Sequence, residues 1–271
     1  MVINMSELIK LIQDIEMDAL YEFKKICDMH NIKFYLRGGS VMGAVKYGGF
    51  VPWDDDIDVA VPRSDYERLI GFCKDKVIAD KYIINSYKFC EKLHCYFPRM
   101  SLVESERIQL GLPKNTNLGF HLMDIFPLDG APNHVILRKL YFIKVYFFRT
   151  LASIGTQYEE NMKNMHTKKQ QMVIDFLRFF KIDKLIVQQK IYDILDKIYK
   201  KNSLENNRYA GTITASLISK EVMRKEIWGE GIHWKFGDIN VLIPSMYDEY
   251  LKKMYGANYL YEEPTIRKTH I

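Results

Sequence analysis

Four carboxylates fall within five consecutive positions, at Asp54, Asp55, Asp56 and Asp58, and an apolar run begins before they end: Ile57-Asp58-Val59-Ala60-Val61-Pro62. β-Branched residues at alternate positions predict a strand. In a strand, residues two apart project from the same face, about 7 Å apart along the chain. Asp56 and Asp58 are therefore expected to aim two carboxylates into one space. Like charges held that close repel unless a cation sits between them, and hard carboxylate oxygens suit magnesium. The spacing points to metal-dependent phosphoryl transfer, with Asp56 and Asp58 as ligands of Mg2+ and with Mn2+ as the alternative ion. A helix-loop-helix calcium site is excluded, because it needs Gly at its sixth position and a bidentate Glu at its twelfth. Counted from Asp54, this chain has Val59 and Asp65 there.

The approach to the acidic run adds a second element. Ile32 to Arg37 reads as a short strand, Gly38-Gly39-Ser40 follows at once, and Val41 to Tyr47 has the composition of a short helix. Glycines let the backbone turn sharply and let a ligand come close. Ser40 is expected to cap the helix, whose first amides attract phosphate. Gly38, Gly39 and Ser40 are thus candidate substrate-binding residues. Strand, Gly-Gly-Ser, helix and then a strand bearing Asp-x-Asp resembles the layout of the nucleotidyltransferase superfamily.

The run Gly38 to Phe50, the Pro-Trp-Asp-Asp-Asp-Ile-Asp segment at 52–58 and Pro62-Arg63-Ser64-Asp65-Tyr66 together resemble the signature of the LicD family. That family includes bacterial phosphocholine transferases of surface polysaccharides, and the animal fukutin and fukutin-related proteins are similar to it. Met123 to Gly130 resembles the family's second block. Pro244, Tyr247 to Tyr250, Tyr255-Gly256, Pro264, Arg267 and His270 resemble its C-terminal block. The resemblance spans roughly residues 10–130 and 220–271. One departure is that Phe236 is followed by Gly237 and Asp238 where the family usually has Phe-Glu.

The resemblance implies an α/β (α+β) fold: a nucleotidyltransferase-like mixed sheet flanked by helices, with a helical insertion or second lobe. It also implies a third acidic residue from a later strand. Asp124, between Met123 and Ile125, matches better than Asp129 in its Leu-Asp-Gly turn, and an unpaired carboxylate buried in a strand would cost several kcal/mol. Asp124 is the expected general base or further metal ligand, which makes Asp56, Asp58 and Asp124 the catalytic and metal-binding set. The implied reaction is attack by a sugar hydroxyl on the alcohol-bearing phosphorus of a CDP-linked donor, most simply CDP-choline, with release of CMP. Arg37, Lys46, Arg63 and Arg267 are cations near the motifs that are candidates for phosphate, and Trp53 for stacking on a base. Ribitol, glycerol and ethanolamine donors stay open. So do teichoic acid, lipopolysaccharide, capsule and glycolipid acceptors. A true nucleotidyltransferase would use the same residues; a non-catalytic membrane adaptor is a further alternative.

Composition agrees with a folded enzyme: of 271 residues, 48% are hydrophobic and 27% charged. Three segments are expected: a catalytic core at 1–132, a basic helical insertion at 133–201, and a C-terminal part at 202–271 that completes the catalytic domain. The N-terminal residues lack the character of a secretory signal, and Cys27, Cys73, Cys90 and Cys95 form no Cys-x-x-Cys pair. The expectation is a cytoplasmic protein with free thiols. Cys90, His94 and Cys95 raise a zinc site that lacks an obvious fourth ligand. No apolar stretch is long enough to span a bilayer. Val135 to Ile154 comes nearest, interrupted by Arg138, Lys139, Lys144 and Arg149, with positive charge continuing from Lys163 to Lys190. It is either a core helix with snorkelling cations or a peripheral contact at the inner membrane face. A net charge of +5 is too weak and dispersed to suggest nucleic acid. Ser6 is expected to cap a long first helix. Further helices are expected at 65–77 and 246–255, and strands at 82–87, 95–100, 120–126 and 241–243.

Overall fold

Ile9, Ile12, Ala19, Leu20, Phe23 and Ile26 recur at helical spacing and form the buried side of the first helix, α1 (Met5–Met29). The computed structural model describes residues 5–116, 118–154 and 187–263, together with Met172, Asp175 and Phe179. After α1 come β1 (Tyr35–Leu36), α2 (Gly38–Tyr47), β2 (Ile57–Pro62), α3 (Arg63–Cys73), β3 (Val77–Ile78), β4 (Tyr82–Asn85), β5 (Arg99–Leu102), α4 (Glu104–Gln109) and β6 (His121–Ala131). Two helices follow, α5 (Val135–Ile154) and α6 (Gln188–Lys200). The remaining elements are β7 (Tyr209–Gly211), β8 (Met223–Arg224), the hairpin β9 (Ile232–Phe236) and β10 (Ile239–Ile243), and α7 (Tyr247–Tyr255).

The main sheet runs β1-β2-β6-β5-β4-β3, with β7 joined to β6 and β8 to β7. Among the described residues, only β2 and β6 pair in parallel; the other pairings are antiparallel. The architecture is the predicted mixed α/β sheet flanked by helices, with an additional helical region at α5 and α6. β6 is its axis, because all of its residues are buried and it pairs with β2, β5 and β7 along its length. Phe23, Leu36, Ile57, Val59, Leu122 and Ile125 are fully covered in the main core. Each such side chain contributes roughly 1.5–3 kcal/mol. A smaller core joins α5 and α6 to the sheet through Tyr141, Val145, Ala152, Tyr192 and Leu195.

Several local expectations need correction. Ser6 lies inside α1, which already includes Met5. The strand before Gly38 is only Tyr35–Leu36, and α2 starts at Gly38, so Ser40 sits within its first turn and does not cap it. The strand placed at 95–100 begins at Arg99, and β9 was not foreseen. The 246–255 helix is present as α7, followed by Gly256 at φ 102°. Much of the basic run between Lys163 and Lys190, and Pro264, Arg267 and His270, lie outside the described residues.

Candidate active site

Strand register assembles the site. Asp58 on β2 lies level with Asp124 on β6, and Asp124 lies level with Arg99 on β5. Residues level on neighbouring strands share a face. Arg37, one residue past β1, closes the other end: its amide donates to the Asp58 carbonyl at 3.0 Å. A row Arg37–Asp58–Asp124–Arg99 therefore crosses four strands as cation, anion, anion, cation. Arg37 Nη1 is 2.7 Å from Asp58 Oδ2, and Arg99 Nε is 3.0 Å from Asp124 Oδ1. His121 Nε2 stands 3.4 Å from the same Asp124 oxygen. Asp56, half-buried, precedes β2 by one residue and feeds its charge into the row.

The electrostatics follow from this crowding. Burial raises the Asp58 carboxyl well above its ordinary value, and the Asp56 and Asp124 charges push it further while Arg37 opposes them. Burial also acts upward on Asp124, but Arg99 and His121 outweigh it and hold that carboxyl below the usual range. The two central carboxylates are thus driven apart in proton affinity, a pattern characteristic of functional acid pairs.

The Gly-Gly-Ser turn packs directly against the acids. Gly38 has φ 54°, and a Cβ there would lie 3.2 Å from Asp58 Oδ2; at Gly39 it would lie 2.7 Å from Asp54 Oδ2. Glycine is what lets α2 begin against these carboxylates. The Gly38 amide donates to Tyr250 Oη at 2.8 Å, and the Ser40 amide to the Arg37 carbonyl at 3.1 Å. The Ser40 hydroxyl accepts from the Asp58 amide at 2.9 Å. The expected phosphate cradle is therefore altered: Ser40 clamps α2 to β2, and two of the motif's amides already have acceptors. Gln13 Nε2 holds the acidic turn through the Val51 and Asp54 carbonyls, at 3.2 and 2.8 Å.

The cations nominated for phosphate have other positions. Arg37 is buried, with its second nitrogen 2.6 Å from Glu221 Oε2 and its guanidinium over the Phe126 ring at 4.4 Å. It faces inward and braces the acids. Arg63 is clamped to Asp129, Glu67 and Asp196. It lies at the opposite end of β2, roughly 16 Å of strand away from Asp58, so it does not join the site. Lys46 ties α2 to the Tyr259 and Glu262 carbonyls and the Glu263 carboxylate. Trp53 is half-buried, edge-on to Tyr47. Arg267 is outside the described residues. His94 Nδ1 is 2.6 Å from Gln188 Oε1, and burial pushes the Cys95 thiol up to about 11. Among the described residues, Cys90, His94 and Cys95 are not gathered into a group that could hold a metal.

Sequence reasoning missed Arg99, His121, Glu221, Tyr250 and Glu16. Glu221 accepts from Thr212 Oγ1 as well as pairing with Arg37. Glu16, fully buried on α1, has neither carboxylate oxygen hydrogen-bonded. Burial first, then Asp56, Asp55 and Asp54, raise its carboxyl well above the ordinary value. Its position between Ile12 and Leu20 on an apolar stripe is the signal that exposes it.

Among the described residues, no group of three His, Cys, Asp or Glu is already gathered as a metal cage. Asp58 is turned to Arg37 and Asp124 to Arg99. The donor set nevertheless suits a hard divalent ion: Asp56, Asp58 and Asp124 supply carboxylate oxygens only, mutually repelling. Asp124 Oδ1 also has no hydrogen-bond partner, since the Arg99 contact is not aligned as one.

Residues 31–129 match the family LicD/FKTN/FKRP, nucleotidyltransferase domain. Lipopolysaccharide cholinephosphotransferase LicD of Haemophilus influenzae is 26% identical over 247 residues, covering 89% of this chain and 87% of that protein. Ribitol 5-phosphate transferase FKRP of Mus musculus is 24% identical over 109 residues, covering 39% of this chain and 19% of that protein. An uncharacterized protein of Rickettsia prowazekii is 28% identical over 93 residues, or 26% of this chain and 35% of that protein. The matched segment contains α2, β2 and most of β6 with the Asp58–Asp124 pair, and residues 31–129 are accordingly similar to the nucleotidyltransferase domain of that family.

Proposed function

We propose that the protein transfers a phospho-alcohol, most simply phosphocholine, from a CDP-linked donor to a sugar hydroxyl of a cell-surface glycan or its lipid-linked precursor. CMP is the leaving group. The observation that carries the reading is the in-register pairing of Asp58 with Asp124 on parallel strands, with Asp56 beside them. Phosphoryl transfer needs little beyond positioning and charge stabilisation, and the Asp58–Asp124 pair flanked by two guanidiniums, with Asp56 one residue before β2, supplies the means for both. The similarity to a cholinephosphotransferase over 89% of the chain supports choline as the first alcohol to test.

Asp56, Asp58 and Asp124 would hold the divalent ion. Bound there, Mg2+ supplies neutralisation of the donor's bridging phosphate oxygens. Asp124 is the residue whose carboxylate stays ionised, and it accepts the proton of the attacking hydroxyl. Arg99 and His121 hold it in that state. Arg37 locks Asp58 in place, and Gln13 fixes the turn that carries Asp54 to Asp56. Asp54 beside Gly39 narrows the approach to the row.

Incubating the protein with a panel of CDP-alcohols, Mg2+ and a glycan acceptor tests the reading, with free CMP and acceptor-linked phosphate as products. CMP attached to the acceptor would instead establish nucleotidyl transfer. No product with any CDP-alcohol, from a protein that also binds none of them, would reject the proposal.

A further inference from the structure

A helix that packs on a core is expected to present polar residues on its far side, and α5 does not. Tyr141, Val145 and Ala152 fall on the side facing α6 and the sheet, where they are buried. On the opposite side, Ile136, Leu140, Ile143 and Phe147 follow at helical spacing and are 59%, 57%, 63% and 58% exposed. Val135, Leu137 and Tyr146 widen the stripe, at 52%, 57% and 43% exposed. From Ile136 to Phe147 the stripe runs about 16 Å along the helix. Scattered exposed apolar residues need no explanation, whereas a continuous stripe marks an interaction surface.

The charges on α5 indicate what covers it. Arg138, Lys139, Lys144 and Arg149 are its only ionised residues, and α5 carries no Asp or Glu. Lys139 and Lys144 are exposed and border the stripe on its two sides. Apolar side chains centred between cations, without a single acid, match the boundary between acyl chains and anionic headgroups. A protein partner of ordinary mixed charge would not require this one-sided arrangement. No described helix is long and apolar enough to cross a membrane, so the helix would lie in the surface plane.

We propose that α5 docks the protein on an anionic lipid bilayer, with Ile136, Leu140, Ile143 and Phe147 inserted at the interface and Lys139 and Lys144 on headgroup phosphates. The placement has a consequence for the site. Arg149, near the end of α5, donates to the Ala215 carbonyl at 2.8 Å and lies over the Tyr96 ring at 4.8 Å. Tyr96 packs on Phe97, and Phe97 on Phe126, the ring beneath Arg37. The far end of the docking helix is thus linked through packed rings to Arg37 of the Asp58–Asp124 row. Docking itself does not depend on the transfer reaction, and vesicle binding reads it separately from turnover.

The test is flotation of the full chain with vesicles of phosphatidylglycerol and phosphatidylcholine, beside vesicles of phosphatidylcholine alone, at low and high salt. Ile143→Glu and Phe147→Glu are compared with Lys139→Glu/Lys144→Glu, with thermal unfolding and gel filtration on each. Binding to the anionic vesicles is expected, with weakening by salt. Each stripe variant should lose about tenfold or more in partitioning, with unfolding midpoints unchanged. The double lysine variant should lose its preference for anionic lipid. Failure of the parent chain to float would overturn the proposal, as would flotation that Ile143→Glu leaves intact. A stripe variant that unfolds early would mean that the chain covers the stripe itself. One that converts a dimer to a monomer would mean that a second copy does. Either result rejects docking on lipid.

Discussion

Replacing Asp124 with Asn removes one charge from the centre of the Arg37–Asp58–Asp124–Arg99 row while keeping the side-chain shape. Two effects on stability oppose each other. Arg99, whose side chain is 27% exposed, loses the carboxylate 3.0 Å from its Nε. Breaking a fully buried pair costs roughly 3–5 kcal/mol, and partial exposure of Arg99 reduces that. Against it, Asp58 is freed from a like charge that raises its carboxyl. A net loss of about 1–2 kcal/mol is expected, a fall in Tm of a few degrees for a chain of this size. Activity should respond more strongly. A positioned base contributes typically 10²–10⁴-fold, about 3–5 kcal/mol of barrier, so kcat should fall by that factor. Donor affinity should change only a few-fold, because Asp56 and Asp58 remain. CMP release per folded molecule, calorimetric binding of the CDP-alcohol and thermal unfolding separate these terms. Near-normal turnover per folded molecule, accompanied by a large loss of stability, would refute the reasoning and make Asp124 a structural partner of Arg99.

Asp56→Asn and Asp58→Asn should each abolish CMP release while circular dichroism stays native, because neutralising Asp56 relieves repulsion and Arg37 keeps Glu221 as a partner when Asp58 is neutralised; near-full turnover in Mg2+ by either variant would remove it from the metal set. Glu16→Gln should stabilise the protein, and increasingly so as pH rises. The folded state raises the Glu16 carboxyl through burial and the neighbouring acids; its favourable contribution is complete below the unfolded value and is lost as pH climbs through the raised folded one. The variant should therefore gain on the order of 1–3 kcal/mol over the parent near neutrality and much less in mild acid. Urea unfolding in chelator at the two pH values checks this, and an advantage independent of pH would contradict it. Gly39→Ala places a methyl 2.7 Å from Asp54 Oδ2 at the present geometry, so the carboxylate must move. Turnover should drop roughly tenfold to a hundredfold with little change in Tm, and unaltered kinetics would show that Asp54 does not shape the site.

The parts of the fold that sequence reading recovered are those set by short periods. α1 announced itself through apolar residues from Ile12 to Phe23, and β2 through Ile57, Val59 and Val61. α7 was marked by the stop at Gly256. The boundaries that failed were set by tertiary partners. The extended segment before Gly38 shrank to Tyr35–Leu36 because those residues alone stand in ladder register with β2. Ser40 had the chemistry of a cap, but the Asp58 amide took its hydroxyl.

The candidate site was legible up to the point where strand register was needed. Asp56 and Asp58 stand two apart in the sequence, so a five-residue window reveals them, although β2 itself begins at Ile57. Asp124 is different, because every residue of β6 is buried. A strand buried on both faces carries no alternation from which to read which way a side chain points. Only the register against β2 puts Asp124 beside Asp58 rather than across the sheet, since a slip of one residue would reverse it. The counter-charges were hidden for the same reason. Arg37 and Glu221 are separated by 184 positions in sequence, and Arg99 reaches Asp124 only through the β5–β6 pairing. Two adjacent buried acids need two cations close by, because an unpaired buried charge is too costly to keep. That requirement turns the sequence question around: once Asp58 and Asp124 are placed in one row, an arginine near each strand end becomes a necessity of the fold. Cations beside this motif are therefore expected to brace its carboxylates before they are free to bind a phosphate.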